Sequence, residues 1–226
     1  MAKRLADGVW LLELGLVPPL ATNVYLVDDR DVTLVDTGLP VNYPSMRDEL
    51  AAAGYSPEEV DRVLLTHYDI DHVGGLGALP DAAVYLGATD LDLLRGDWTP
   101  PLFHHKGAFH RAARRLFPLT DREITGVDDG DRIGGFEAVH TPGHNPGHTV
   151  YVHEELGLAL TGDLLWEDGG ELTPPFWLDS YDMHELRSSI RTFADRATGV
   201  DIVGMAHGDP VLEGATAAID RVAARV

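Results

Sequence analysis

Residues able to bind a metal ion recur in this sequence at one kind of place, the end of a short apolar run, and that regularity restricts the fold more than any other feature. Val32–Val35 runs into Asp36. Asp61–Leu65 runs into Thr66-His67-Tyr68-Asp69-Ile70-Asp71-His72-Val73-Gly74-Gly75. Phe136–His140 is followed by Thr141-Pro142-Gly143-His144, Leu158–Thr161 by Gly162-Asp163, and Asp201–Ala206 by His207-Gly208. Such β-branched runs bounded by Gly, Pro and Asp read as strands. Loops at one edge of packed sheets converge in space, so distant residues can assemble one site held by rigid strands. The stretch from His67 to His72 carries four ligand-type side chains. A solvated polar loop explains it poorly, because a strand leads in and a Gly-Gly pair leads out, as though the backbone turned tightly around something.

Composition limits what that site can be. The chain has no cysteine, which excludes thiolate zinc sites, disulfides and a Cys nucleophile and leaves His, Asp and Glu as ligands. Its 226 residues suffice for one substantial core with no linker, so a single domain over residues 1–226 is expected. With 17 Lys+Arg against 37 Asp+Glu, the formal charge is −20. A field of that sign disfavours nucleic acid as a partner. It fits a high-salt environment and a GC-rich genome equally well. The N-terminal apolar run is interrupted by Asp7 and Glu13, and no run is long enough to cross a membrane. The expectation is a cytoplasmic protein acting on a small molecule, with neither nucleic acid nor membrane as partner and with a homo-oligomer left open.

The remaining elements follow in order. Val9–Leu12, Asn23–Val27 and Val32–Val35 predict an antiparallel opening. A helix over about residues 43–53 is closed by Gly54, and Ser56-Pro57-Glu58-Glu59 opens a short one. Ala83–Leu86 is a strand before a helix capped by Thr89, and Asp182 caps a helix reaching about Ala197. A C-terminal helix closes the chain. Strands and then helices in each half suggest two sheets face to face with helices outside. The segment Trp98–Thr120 has no acidic residue, yet holds His104, His105, Lys106, His110, Arg111, Arg114 and Arg115. It reads as an amphipathic helix balancing acidic neighbours, or as a lid or interface segment over the site.

Four imidazoles with Asp69, Asp71 and Asp163 are too many donors for one tetrahedral zinc and about right for two metal ions sharing a carboxylate. Asp36 is better placed to accept from a ligand imidazole and orient it. At this point the chain resembles the metallo-β-lactamase-fold hydrolases, through Asp36-Thr37-Gly38, His67–His72, Thr141–His144, Gly162-Asp163 and His207-Gly208 in the family's order. The resemblance implies an α+β fold, a four-layer αββα sandwich, with one ion held by His67, residue 69 and His144, the other by Asp71, His72 and His207, and Asp163 bridging. Asp69 departs from the commonest pattern, which has His there. Carboxylate for imidazole hardens that site, which shifts its preference away from zinc toward iron or manganese or weakens it. Asp69 could instead point away and leave that ion two imidazoles and water. Across both sites zinc is the expected ion, with iron or manganese as alternatives. His148 lies near enough to replace His144, but its expected place is behind the ligands. His140, His153 and His184 read as surface histidines.

Two divalent ions would lower the pKa of a shared water, and the resulting hydroxide would attack an ester, thioester or lactone carbonyl, with Asp71 and Asp163 as the catalytic carboxylates. No Gly-x-Ser-x-Gly or Cys nucleophile competes with that reading. Phe176, Trp177 and Tyr181 are candidate walls of the substrate pocket, core packing being the fate of at least one. Pro-Gly-His-x-x-Gly-His resembles glyoxalase II, but only 19 residues follow His207, so a C-terminal glutathione-holding domain is not expected. The alternatives are a phosphodiesterase, an iron oxidoreductase of the persulfide dioxygenase kind, and a non-catalytic metal-binding module.

Overall fold

The computed structural model describes residues 1–15, 21–101, 103–116 and 122–226. The first half builds a seven-stranded sheet. Strands β1 (Lys3–Ala6), β2 (Val9–Gly15), β3 (Ala21–Asp29) and β4 (Asp31–Val35) form an antiparallel meander, as the opening runs predict. The chain then crosses over. Helix α1 (Met46–Ala53) leads to β5 (Arg62–Leu65), α2 (Ile70–Val73) to β6 (Ala83–Gly87), and α3 (Ala88–Arg95) with α4 (His105–Leu116) to β7 (Ile124–Val127). Strands β4 to β7 are parallel.

Local chemistry explains the boundaries. Ser45 and Asp48 cap α1 reciprocally, and Gly54 closes it at φ 97°, so the helix begins three residues later than the apolar pattern suggests. Helix α3 starts at Ala88 rather than behind Thr89, with Gly87 at the cap position, where a Cβ would lie 2.0 Å from Gly147 O.

The second half adds β8 (Arg132–Ile133), β9 (Phe136–His140), β10 (Thr149–His153), β11 (Leu158–Leu160), the hairpin β12 (Trp166–Asp168) and β13 (Glu171–Thr173), α5 (Met183–Arg196), β14 (Ile202–Gly204) and α6 (Ala215–Ala223). Its sheet runs β14-β11-β10-β9-β8, and the hairpin stands apart. The hairpin goes unread in the sequence because three-residue strands are too short to carry a period. Helix α5 does begin behind Asp182, whose side chain accepts from His184 N and Glu185 N.

The apolar residues sort into three layers. Leu12, Leu26, Leu50, Leu65 and Leu91 pack α1 and α3 on the outer face of the first sheet. Leu186, Ile190, Phe193 and Ile219 pack α5 and α6 on the outer face of the second. Between the sheets lie Leu11, Tyr25, Leu64, Phe136, Tyr151 and Leu160. The order is therefore helix, sheet, sheet, helix, the αββα sandwich, and burial of Phe136 or Tyr151 at the centre contributes about 1.5–3 kcal/mol each. Candidate surface residue His153 lies instead in this layer, buried beside Phe136 and bonded to Asp29 Oδ2 at 3.0 Å.

Strand direction gathers the functional loops. Strands β4 and β5 are parallel, so Asp36 and His67 leave the same edge of the first sheet. In the second sheet β11 is parallel to β14 and antiparallel to β10, and β10 is antiparallel to β9, so β9, β11 and β14 also end at one edge. Backbone bonds hold the two edges together: Thr149 N donates to Thr66 O (2.8 Å) and Asn23 N to Ala206 O (2.8 Å). Asn23 Nδ2 adds bonds to Met205 O (3.0 Å) and Gly208 O (2.7 Å), and the Tyr25 hydroxyl donates to Met205 O (2.9 Å). No described helix is long and apolar enough to cross a membrane.

Candidate metal centre

Asp36 sits at the end of β4 with φ 64°, a left-handed backbone that a non-glycine residue holds only when its surroundings fix it. Here the carboxylate fixes it. Oδ1 accepts from Thr66 N (2.8 Å), and Oδ2 accepts from Thr66 Oγ1 (2.8 Å) and from His72 Nδ1 (2.9 Å). With its Nδ1–H committed, His72 turns Nε2 inward, where it is buried without a hydrogen-bond partner among the described residues. Burial alone would depress the His72 pKa, but Asp36, and then Asp71 and Asp163, outweigh it and raise the imidazole well above its usual range. A field that favours a proton there favours a divalent cation more. His67, by contrast, is pushed well below its usual range by burial and then by His72, which leaves a neutral imidazole with a lone pair to offer.

The candidate ligands form two clusters that meet at Asp163. In one, His72 Nε2 lies 3.6 Å from Asp71 Oδ2 and 3.6 Å from Asp163 Oδ2, and His207 Nε2 lies 3.7 Å from Asp71 Oδ2 and 3.6 Å from Asp163 Oδ1. Donors about 2.0–2.2 Å from a tetrahedral ion stand roughly 3.4 Å apart, so these spacings suit one. His207 Nδ1 donates to Ala21 O (3.1 Å), which aims Nε2 at the cluster. The orphaned His72 Nε2 and a donor set of two imidazoles and two carboxylates fit a divalent ion.

The other cluster is His67, Asp69 and His144. His67 Nε2 lies 3.5 Å from Asp69 Oδ2 and 3.2 Å from His144 Nε2, which is itself 3.4 Å from Asp69 Oδ2 and 3.4 Å from Asp163 Oδ2. The spacing again suits an ion, but a cation already stands there. Lys106 Nζ lies 2.9 Å from Asp69 Oδ2 and 2.7 Å from His144 Nε2. Asp69 Oδ1 accepts from His110 Nε2 (2.6 Å) and Asn145 Nδ2 (3.0 Å). Burial would raise the Asp69 carboxyl, yet Lys106, His67 and His110 hold it well below the usual carboxylate range. The acid-free segment therefore turns basic residues inward: α4 lies over this cluster, with Lys106 and His110 four residues apart on one buried face.

His148 does not replace His144. Its Nε2 accepts from Asp163 N (3.2 Å), so its Nδ1–H donates to Thr141 Oγ1 (2.8 Å), and both nitrogens are spent holding the backbone behind Asp163. Asp90, unmarked in the sequence, accepts from Tyr68 N (2.7 Å), Gly147 N (2.6 Å) and Asn145 Nδ2 (3.1 Å), tying the His67 loop to the His144 loop. The Gly74-Gly75 pair has a purpose other than a tight turn. A Cβ on Gly75 would lie 2.0 Å from Thr37 O, so the pair lets the Asp36 loop close against α2.

A cleft of about 720 Å³ opens beside the clusters, with Asp69, Asp71, Asp163, Asp179 and His207 at its polar end and Leu39, Ile70, Phe109, Trp166, Phe176 and Leu178 as its walls. Of the three expected wall residues, only Phe176 lines it. Trp177 packs its ring edge-on to His105, and Tyr181 stacks on His104 while its hydroxyl meets His110 Nδ1 at 2.7 Å. The sequence hides this because an aromatic loop does not reveal which rings the facing helix will take. Asn145, Asp90 and Asp179 carry no mark in the sequence, whereas Lys106 and His110 stand out only as members of the acid-free segment, which leaves their place in the site open.

Known proteins share the fold. The model of the metallo-beta-lactamase superfamily matches residues 17–204. An uncharacterized protein of Bacillus subtilis, YobT, is 32% identical over 218 residues, spanning 88% of each chain. The probable metallo-hydrolase YybB of the same organism is 29% identical, covering 81% of this chain and 80% of its own. More distant is the N-acyl homoserine lactonase AttM of Agrobacterium fabrum, 26% identical over 70% of this chain and 62% of that protein. Among solved structures, TTHA1623 in a di-iron-bound form superposes with a TM-score of 0.70 at 25% identity, over 95% of this chain and 100% of that one.

Proposed function

The chain belongs to the metallo-β-lactamase superfamily, and we propose that it is a metal-dependent hydrolase of a small carboxylic ester, lactone or thioester. The observation that carries this reading is the lining of the cleft. Its walls are apolar, its polar end is carboxylates and one imidazole, and no Arg or Lys lines it among the described residues. With the carboxylates taken up in holding an ion, no cationic side chain is left in the lining to receive the remaining charge of a phosphodiester, whereas a neutral acyl compound can rest on Phe109, Phe176 and Leu178 with its carbonyl at the polar end. The likeness to a lactonase supports the same class.

Asp71, His72, Asp163 and His207 would hold the ion, zinc before iron or manganese given two imidazoles among the donors. A divalent ion there supplies Lewis acidity, bringing the pKa of a water toward neutrality and polarising the carbonyl. The chain's own groups do the rest. Trp166 Nε1 donates to Asp163 Oδ1 (3.0 Å) and Thr22 Oγ1 to Asp71 Oδ2 (3.1 Å), so both carboxylates are oriented before substrate arrives. Asp71 Oδ1 has no hydrogen-bond partner among the described residues, which leaves it to take a proton from the attacking water and return it to the leaving oxygen. The apolar walls exclude competing water from the acyl side.

Purified protein reconstituted with zinc, assayed in parallel on aryl esters, acyl lactones, thioesters and a bis-aryl phosphodiester, tests the reading. Turnover of at least one carbonyl substrate that disappears in Asp71→Ala is expected. Turnover confined to the phosphodiester overturns the substrate class, and no zinc binding at all overturns the metal-dependent reading.

A further inference from the structure

We propose that the ammonium of Lys106 takes the place of one of the two metal ions, so that this chain holds a single ion, at Asp71, His72, Asp163 and His207. The inference rests on the metal-dependent reading above, but metal content rather than turnover tests it. An ammonium has three protons to donate. Here each has an acceptor: Asp69 Oδ2 at 2.9 Å, His144 Nε2 at 2.7 Å and Asp179 O at 2.8 Å. Two of those acceptors are the very atoms the His67–Asp69–His144 cluster would offer to an ion. The other oxygen of Asp69 is filled by His110 and Asn145, so the carboxylate has no oxygen left without a donor.

The charges balance in the same way. Asp69 adds a negative charge to the cluster, and Lys106 adds a positive one beside it. A divalent ion seated among these donors would face a buried ammonium at close range, with nowhere for the like charges to be screened. Lys106 is only 4% exposed and is one of just two lysines in the chain. Nor is it a loose side chain that fills a gap. Helix α4 is fastened over the site by His110, which bonds Asp69 and the Tyr181 hydroxyl, and by His104 Nε2 and His105 Nε2, which bond Tyr181 O (2.9 Å) and Ser180 O (3.2 Å). The second cluster offers the contrast. Among the described residues, no Lys or Arg pairs with Asp71 or Asp163, and His72 Nε2 has no hydrogen-bond partner.

The test is zinc content, measured by mass spectrometry after loading with excess zinc and desalting. The intact protein is expected to hold one zinc per chain and Lys106→Met two, since His67, Asp69 and His144 are then released. Asp71→Ala is expected to fall from one to none, and serves if Lys106→Met does not fold. Two zinc ions in the intact protein, one in Lys106→Met that keeps its native circular dichroism, or one remaining in Asp71→Ala would each overturn the proposal. No zinc in the intact protein overturns it together with the metal-dependent reading, an outcome distinct from the presence of two.

Discussion

Asp36 Oδ2 stands 2.9 Å from His72 Nδ1 while the Asp36 backbone sits at φ 64°. The carboxylate thus fixes a tautomer from a conformation that few residues accept. Asparagine tolerates the left-handed region as well as aspartate does, so Asp36→Asn isolates the charge from the backbone. Its amide retains only one acceptor atom and turns a donor toward another. Zinc affinity is expected to fall about 10–100-fold, read by competition with a chromophoric chelator, with only a modest loss of thermal stability. Unchanged affinity would remove Asp36 from its orienting role.

His148 distinguishes support from ligation. If it holds only Thr141 and the Asp163 backbone, His148→Ala creates a cavity and strands a buried N–H, costing about 2–4 kcal/mol. The zinc stoichiometry is nonetheless expected to stay that of the intact protein. A denaturant titration and a metal assay on the same sample read both quantities; loss of the ion with little loss of stability would mean that His148 is a ligand.

Two glycines of one short turn make a matched pair. Gly75 has room for no side chain because Thr37 O would lie 2.0 Å from its Cβ, whereas a Cβ on Gly77 meets nothing within 4 Å. Gly75→Ala is expected to cost about 1–3 kcal/mol through overpacking. Gly77→Ala is expected to be neutral or to stabilise by up to about 1 kcal/mol through the unfolded chain. Equal thermal midpoints for the two variants would deny the close approach of the Asp36 loop to α2.

Acid stability follows from Asp69 and Asp163. Both are held well below the usual carboxylate range, Asp69 by Lys106, His67 and His110, and Asp163 by His207, His72 and His144, in each case against the cost of burial. Because the folded pKa values are depressed, the stability they contribute is present above the unfolded value of about 3.9 and is lost as pH falls through the folded ones. Lys106→Met removes the largest charge holding Asp69 down, so its loss is expected to begin at higher pH than in the intact protein. The variant also leaves a buried carboxylate short of a partner, costing about 3–5 kcal/mol near neutrality. Melting curves of both proteins from about pH 7 to 3 check the sign; parallel curves would show that Lys106 does not govern Asp69.

The sandwich is readable in advance because its information is local and repeated: each of five short apolar runs leads within a few residues to an Asp or His, and strand direction does the rest. The donors from His67 to His207 converge for the same reason. What the sequence withholds depends on contacts between segments far apart. Lys106 sits in a segment whose basic character fits a solvated face as well as a lid, and only the docking of α4 on residues 176–182 reveals that its charge points inward. Tyr181 carries no mark that it will meet His110 rather than substrate. Asp90 is one of many aspartates, and its three N–H donors come from residues 68, 145 and 147.

The stitching at Asn23 and Tyr25 gives an ion at this centre a mechanical meaning. Asp71 and His72 hang from the first sheet, while Asp163 and His207 hang from the second, and Gly204 approaches Tyr25 so closely that a Cβ there would lie 2.5 Å from the ring. The spacing between the layers therefore sets the 3.7 Å between Asp71 Oδ2 and His207 Nε2. An ion held by these residues would act as a rivet through both sheets. Any shear of one layer over the other must strain it, so the grip on the ion gauges how firmly the sandwich holds its register.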